Sequence, residues 1–273
     1  MILLKIFIDS AKLDEIKEAY SLGVVDGVTT NPSLIKAAIL DLKTKGEDVD
    51  MSSYISKILK VAYGTPVSLE VTGYTYDEML SQARNLYEKF NPVAENICVK
   101  IPINTSHGSK NIDLEGIRVI KKLTDDKIPV NATLIFTPEQ ALMAAKAGAD
   151  YVSPFAGRID DHLRSVNKLT FKKTDYFPAH GLSEGIMDDN GIVSGIDLIE
   201  QTADILRTHK YAAQVIAASL RNARQAREAA IVGSDIATLP LPVIKDMLRH
   251  PQTAEGIEKF IADVVPEYGD LIK

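Results

Sequence analysis

A single cysteine, Cys98, is all that this chain of 273 residues carries, so no disulfide can form within it and a reducing compartment is the default. Tryptophan is absent and aromatic residues make up only 6% of the chain. No run approaches the ~18 apolar residues that a membrane span needs. The opening segment is interrupted by Lys5 and closed by Asp9, which is not the layout of a signal peptide. An excess of positive charge is missing too: the net charge is -6 and the pI about 5.5, which argues against nucleic acid as a partner. The five histidines, at 107, 162, 180, 209 and 250, show no metal-ligand spacing. These absences predict a cytoplasmic protein with no membrane segment and no bound metal.

What is present is 45% hydrophobic residues, enough for one substantial core. One pattern recurs three times: a helix-like stretch ends in glycine, an aspartate follows within three residues, and a short β-prone run closes on proline. The copies are Gly23 with Asp26 and Pro32, Gly148 with Asp150 and Pro154, and Gly233 with Asp235 and Pro240. Each reads as a glycine-capped helix feeding a buried strand. Counting all such runs predicts eight strands, over 4–9, 27–30, 66–71, 97–101, 129–134, 151–154, 214–219 and 236–239. Amphipathic segments lie between them, for example 77–90, 114–123 and 138–147, with a final helix over 254–265. Eight strand–helix units favour an α/β fold of the (β/α)8 barrel type, one domain over 1–273. Two stretches break the short-loop pattern and are expected to be insertions, near 41–51 and 161–191. The second is rich in Lys168, Lys172, Lys173 and His180, and reads equally as a basic cover over an anionic substrate or as a mobile loop.

The fourth strand, Ile97-Cys98-Val99-Lys100-Ile101, holds one charge in an apolar run. Near-continuous apolar strands are buried on both faces. Burial disfavours the ammonium form of an amine, which favours a nucleophile able to attack a carbonyl. The plainer reading is a strand-end lysine reaching solvent. Polar groups near the other strand ends favour the first: Asp9, Thr30-Asn31, Glu70 above Ser68, Asn131 with Thr133, Ser153, Ser219 and Thr238. So many buried polar groups each demand a partner, which a purely structural core avoids.

Thr29-Thr30-Asn31-Pro32-Ser33, Val99-Lys100-Ile101-Pro102, Ser153-Pro154-Phe155-Ala156-Gly157-Arg158 and Ser219-Leu220-Arg221-Asn222 together resemble the transaldolase family, which includes the fructose-6-phosphate aldolases. The resemblance implies that Lys100 is the Schiff-base lysine and that Glu70, with a water held by Thr133, and Asp9 are the acid/base carboxylates. It implies that Thr30, Asn31, Asn131 and Ser153 lie against the sugar, and that Arg158, Ser219 and Arg221 contact phosphate. Either arginine could instead pair with a surface carboxylate. The aldolase branch carries glutamine at the position of Glu70 and tyrosine at that of Phe155, so the departures point to the transferase branch.

The implied reaction moves a dihydroxyacetone unit between sugar phosphates, sedoheptulose 7-phosphate and glyceraldehyde 3-phosphate exchanging with fructose 6-phosphate and erythrose 4-phosphate, without a cofactor. Aldol cleavage of fructose 6-phosphate and a non-catalytic sugar-phosphate-binding barrel remain the alternatives. The segment 256–268 resembles the helix that small family members pack on a neighbouring subunit, implying a homo-oligomer, a pentamer or decamer.

Overall fold

A computed structural model describes residues 3–106 and 114–272. His107, the first two residues and the terminal Lys273 lie outside the described residues. The chain runs β1 (Lys5–Asp9), α1 (Leu13–Ser21), β2 (Gly27–Thr29), α2 (Pro32–Thr44), α3 (Met51–Val61), β3 (Val67–Glu70), α4 (Tyr76–Ala94) and β4 (Ile97–Pro102). It continues through α5 (Glu115–Asp125), β5 (Val130–Ile135), α6 (Pro138–Ala147), β6 (Tyr151–Pro154), α7 (Ala156–Val166), α8 (Gly195–Thr208) and β7 (Gln214–Ala217). The last elements are α9 (Ala223–Ile231), β8 (Ile236–Leu239), α10 (Leu241–Asp246), α11 (Pro251–Ala262) and α12 (Pro266–Leu271). All eight strands pair in parallel, and β1 closes on β8 to complete a barrel. Each expected strand is present with its ends moved by at most two residues.

The barrel forms because its strands are short, apolar and buried on both faces, while the helices between them cover the outside. Every residue of β4 is buried. Alternation sends Phe7, Ile216 and Ile236 inward as one packed layer, with Tyr151 against it. Gly27 is required beside that layer, because a Cβ there would lie 2.7 Å from the Phe7 ring.

The threefold repeat has a physical purpose at the lower rim. Asp26 Oδ2 accepts the Ile6 N–H at 2.9 Å, Asp150 Oδ2 accepts that of Val130 at 2.8 Å, and Asp235 Oδ2 accepts that of Val215 at 2.8 Å. In every copy the carboxylate reaches back 20 residues and ties the new strand to the start of the preceding one. Such charge-assisted bonds each contribute about 1.5–3 kcal/mol.

Three expectations are refined. The stretch 41–51 holds the last turn of α2, which continues to Thr44, a short connection over 45–50, and the start of α3, which Asp50 caps by accepting the Ser53 N–H at 2.9 Å. The extra material between β2 and β3 is therefore a helix. The second insertion is shorter than expected, because its first residues complete α7 through Val166. The predicted helix over 254–265 is α11, which starts at Pro251 and ends at Ala262, with α12 beginning at Pro266. Among the described residues, no helix is long and apolar enough to cross a membrane.

The segment between α7 and α8 is pinned from both sides. Phe177 is buried with Ile159, Leu163, Ile192 and Leu198. Arg164 donates to the Asp175 carbonyl at 2.7 Å and stacks on both Phe171 and Phe177. Arg224 lies 3.6 Å from the Tyr176 ring centroid. This strap meets the β7–α9 connection through the carbonyls of Lys173 and Thr174, which accept from Arg221 and Asn222.

Candidate active site

A cavity of about 110 Å³ opens at the C-terminal ends of the strands, lined by Asp9, Thr29, Asn31, Lys100, Ser153, Phe155, Arg158, Ala218, Ser219 and Thr238. Barrels of this kind gather their reactive groups on that face. A larger hollow of about 470 Å³ lies outside the barrel, among Lys12, Asp41, Lys45 and Lys57. Its walls include an exposed helical pair, Lys45–Asp41, which is ordinary surface chemistry.

Lys100 is only 4% exposed, so the reading of a lysine reaching solvent is excluded. It stands in register with Glu70 on β3 and Asn131 on β5. Its Nζ lies 3.4 Å from Glu70 Oε2 and donates to the Thr30 carbonyl at 3.4 Å. The Phe155 ring flanks it, with its centroid 5.6 Å from Nζ. Beneath it Cys98 is wholly buried, and burial pushes its thiol far up, which removes it as a nucleophile.

Two carboxylates share this interior. Burial lifts Glu70 above the usual carboxylate range, outweighing the opposing attraction of Lys100. Burial also lifts Asp9, against the pull of Lys100 and of a hydrogen bond from Thr29. That bond runs from Thr29 Oγ1 to Asp9 Oδ1 at 2.7 Å, and Thr29 Oγ1 also meets Thr238 Oγ1 at 2.5 Å. The arrangement therefore offers one amine and two carboxyls that hold their protons more readily than exposed ones.

The other expected residues divide into those on the cavity and those behind it. Asn31, Ser153, Phe155, Arg158 and Ser219 line it. Asn31 also caps α2 by accepting the Leu34 N–H at 3.0 Å. Ser153 donates to Asn131 Oδ1 at 2.7 Å, and Asn131 Nδ2 donates to Ser68 Oγ at 3.1 Å, so both ends of the Asn131 amide are engaged inside the barrel. The Thr30 hydroxyl donates to the Ser68 carbonyl at 2.7 Å, leaving only its own carbonyl toward Lys100. Thr133 Oγ1 is buried and has no hydrogen-bond partner among the described residues. Arg158 stacks on Phe155, its guanidinium carbon 5.1 Å from the ring centroid. Arg221 is not on the cavity wall; its guanidinium is paired with Asp161.

Sequence reasoning missed Thr29, the hydroxyl that holds Asp9. The signal was alternation: Thr29 is two positions from Gly27 and in register with Asp9. It also missed two left-handed residues at the rim, Leu134 (φ 56°) and Ser219 (φ 63°). Leu134 belongs to a register shift in β5 between Ala132 and Ile135, next to Thr133. Such strain in residues other than glycine gathers at functional sites. Behind the rim, burial pushes Asp160 up to about 6, against the bond it accepts from the Gly195 N–H and the charges of Arg164 and Arg221.

A model of the family described as Transaldolase/Fructose-6-phosphate aldolase matches residues 6–268. Proteins named "Probable transaldolase" from Chlorobaculum parvum, Desulforapulum autotrophicum and Thermoplasma volcanium are 41%, 40% and 37% identical to this chain over 260 residues. Each alignment covers 95% of this chain, and 97%, 97% and 95% of the respective relatives.

Proposed function

The chain belongs to the transaldolase/fructose-6-phosphate aldolase family, and from that premise we propose that it is a transaldolase acting through a Schiff base on Lys100. The observation that carries the reading is the burial of Lys100 Nζ at the cavity, 3.4 Å from Glu70 and under the charge of Asp9. The amine adds to the ketose carbonyl, and the resulting carbinolamine loses its hydroxyl as water. Glu70 supplies that proton through a water shared with Thr133, whose buried hydroxyl needs a partner. Asp9 then takes the proton of the C4 hydroxyl as the C3–C4 bond breaks and the aldose phosphate leaves.

The bonding electrons stay on a three-carbon enamine attached to Lys100. That enamine attacks the carbonyl of a second aldose phosphate, Asp9 returns the proton, and hydrolysis frees the new ketose. Asn31, Asn131, Thr30 and Ser153 would orient the sugar, with Asn131 and Thr30 acting from behind the wall. Arg158, Ser219 and Arg221 would hold phosphate, arginine suiting it by its planar fork. Amine, acid and base all come from the chain, so no metal or organic cofactor is required.

Glu70 and Phe155 favour transfer over simple cleavage. A glutamine could not shuttle the proton, and phenylalanine has no hydroxyl to position water for release of the three-carbon unit. The substrates would be the sedoheptulose 7-phosphate and fructose 6-phosphate pair, exchanged in the cytoplasm by one barrel domain. An exposed apolar arm, with Ile257, Phe260, Ile261, Val265 and Leu271 uncovered, suits assembly with further copies as a pentamer or decamer.

The test is product analysis with fructose 6-phosphate alone and with erythrose 4-phosphate added. Free dihydroxyacetone should stay at trace levels without the acceptor, and sedoheptulose 7-phosphate should form rapidly with it. Fast release of dihydroxyacetone in the first reaction would replace transfer by cleavage.

A further inference from the structure

Arg221 is held at its side-chain end by Asp161 and at its backbone end by Gln225, which is itself fixed by Asp160, the neighbouring aspartate of α7. Its Nη1 and Nη2 bond to Asp161 Oδ1 and Oδ2 at 2.5 and 2.6 Å, a bidentate pair. Its backbone N–H donates to Gln225 Oε1 at 2.9 Å, Gln225 Nε2 donates to Asp160 Oδ2 at 2.8 Å, and Asp160 Oδ1 accepts the Gly195 N–H at 2.8 Å. With the outer fork taken, the Nε edge is the part of the guanidinium that faces the first turn of α7. A Cβ at Gly157 would lie 3.0 Å from Arg221 Nε and 2.2 Å from the Ser219 carbonyl. Gly157 thus lets the β7–α9 connection close onto the helix that carries Arg158.

We infer that Asp161 is a positioning residue, which fixes the Arg221 guanidinium so that its Nε edge, with Arg158 and Ser219, receives the phosphate end of the substrate. The inference rests on the reading of that corner as the phosphate site. Asp161 is not on the cavity wall, and an asparagine in its place keeps one oxygen to accept from Arg221. Arg164 Nη1, 3.6 Å from Asp161 Oδ1, restrains the carboxylate in turn. A long, flexible guanidinium without this clamp samples many rotamers, and each costs binding only at the phosphate.

The test compares Asp161→Asn and Asp161→Ala with the parent, using glyceraldehyde 3-phosphate and unphosphorylated glyceraldehyde as acceptors. For the phosphorylated acceptor, KM should rise by about tenfold in the alanine variant, less in the asparagine variant, with kcat changed by less than about threefold. For glyceraldehyde, with fructose 6-phosphate saturating as the donor, neither constant should move. Equal losses on both acceptors, or no change on either, would overturn the role of Asp161. Arg158→Ala separates the two layers of the argument. If it also fails to discriminate between the acceptors, the phosphate corner itself is misplaced; if it discriminates while the Asp161 variants do not, only the present inference fails.

Discussion

Replacing Lys100 with methionine should cut turnover by about 10⁴-fold or more while leaving the barrel folded. Methionine follows the course of the lysine side chain through the same buried channel and removes only the amine. Because β4 is buried along its whole length, an apolar side chain fits there without a cavity. Thermal denaturation should accordingly stay within about 5 °C of the parent. The residual rate would come from Glu70 and Asp9 acting on bound substrate, and neither can hold the three-carbon unit between two aldoses. Transfer should therefore vanish even if slow cleavage persists. A Lys100→Met protein that exchanges sugar phosphates at a tenth of the parent rate would require a different nucleophile.

The carboxylates should fail in different ways. Asp9→Asn keeps the shape and the bond from Thr29 but removes the base that cleaves C3–C4. Turnover should fall by about 10²–10⁴-fold, with the uncleaved ketose accumulating on Lys100. Glu70→Gln should slow formation of that adduct instead, so that little of any species accumulates. The pH profile separates them further. Asp9 must be ionised to accept a proton, and burial raises its pKa from the ordinary 3.8. Activity should thus decline with falling pH at values above 3.8, and this acid limb should be missing from whatever activity Asp9→Asn retains. An unchanged acid limb in that variant would assign the base to another group.

Much of this could be read without coordinates, for a physical reason. Parallel strands buried on two faces are written as short apolar runs, and the glycine-to-aspartate repeats mark where three of the eight begin. The charge on Lys100 was conspicuous because that background is otherwise apolar. Alternation along the strands then placed Glu70, Asn131 and Ser153 on the interior side. What escaped was set by contacts remote in sequence. Thr29 became the partner of Asp9 only through the register of β1 and β2. Arg221 met Asp161 across 60 residues, which no local pattern encodes. The turn at Leu134 is imposed by β5 against β6, since leucine has no preference for a positive φ. The strap after α7 carries no helix or strand, and its anchoring contacts through Arg164, Tyr176 and Phe177 reach residues as far away as Glu228, so no local pattern announces them.

The most direct test is reductive trapping with borohydride in the presence of fructose 6-phosphate, followed by peptide mass analysis. The parent protein should carry one reduced dihydroxyacetone unit on the peptide containing Lys100, and Lys100→Met should carry none. An adduct on any other lysine, or full activity with no adduct, would contradict the Schiff-base account.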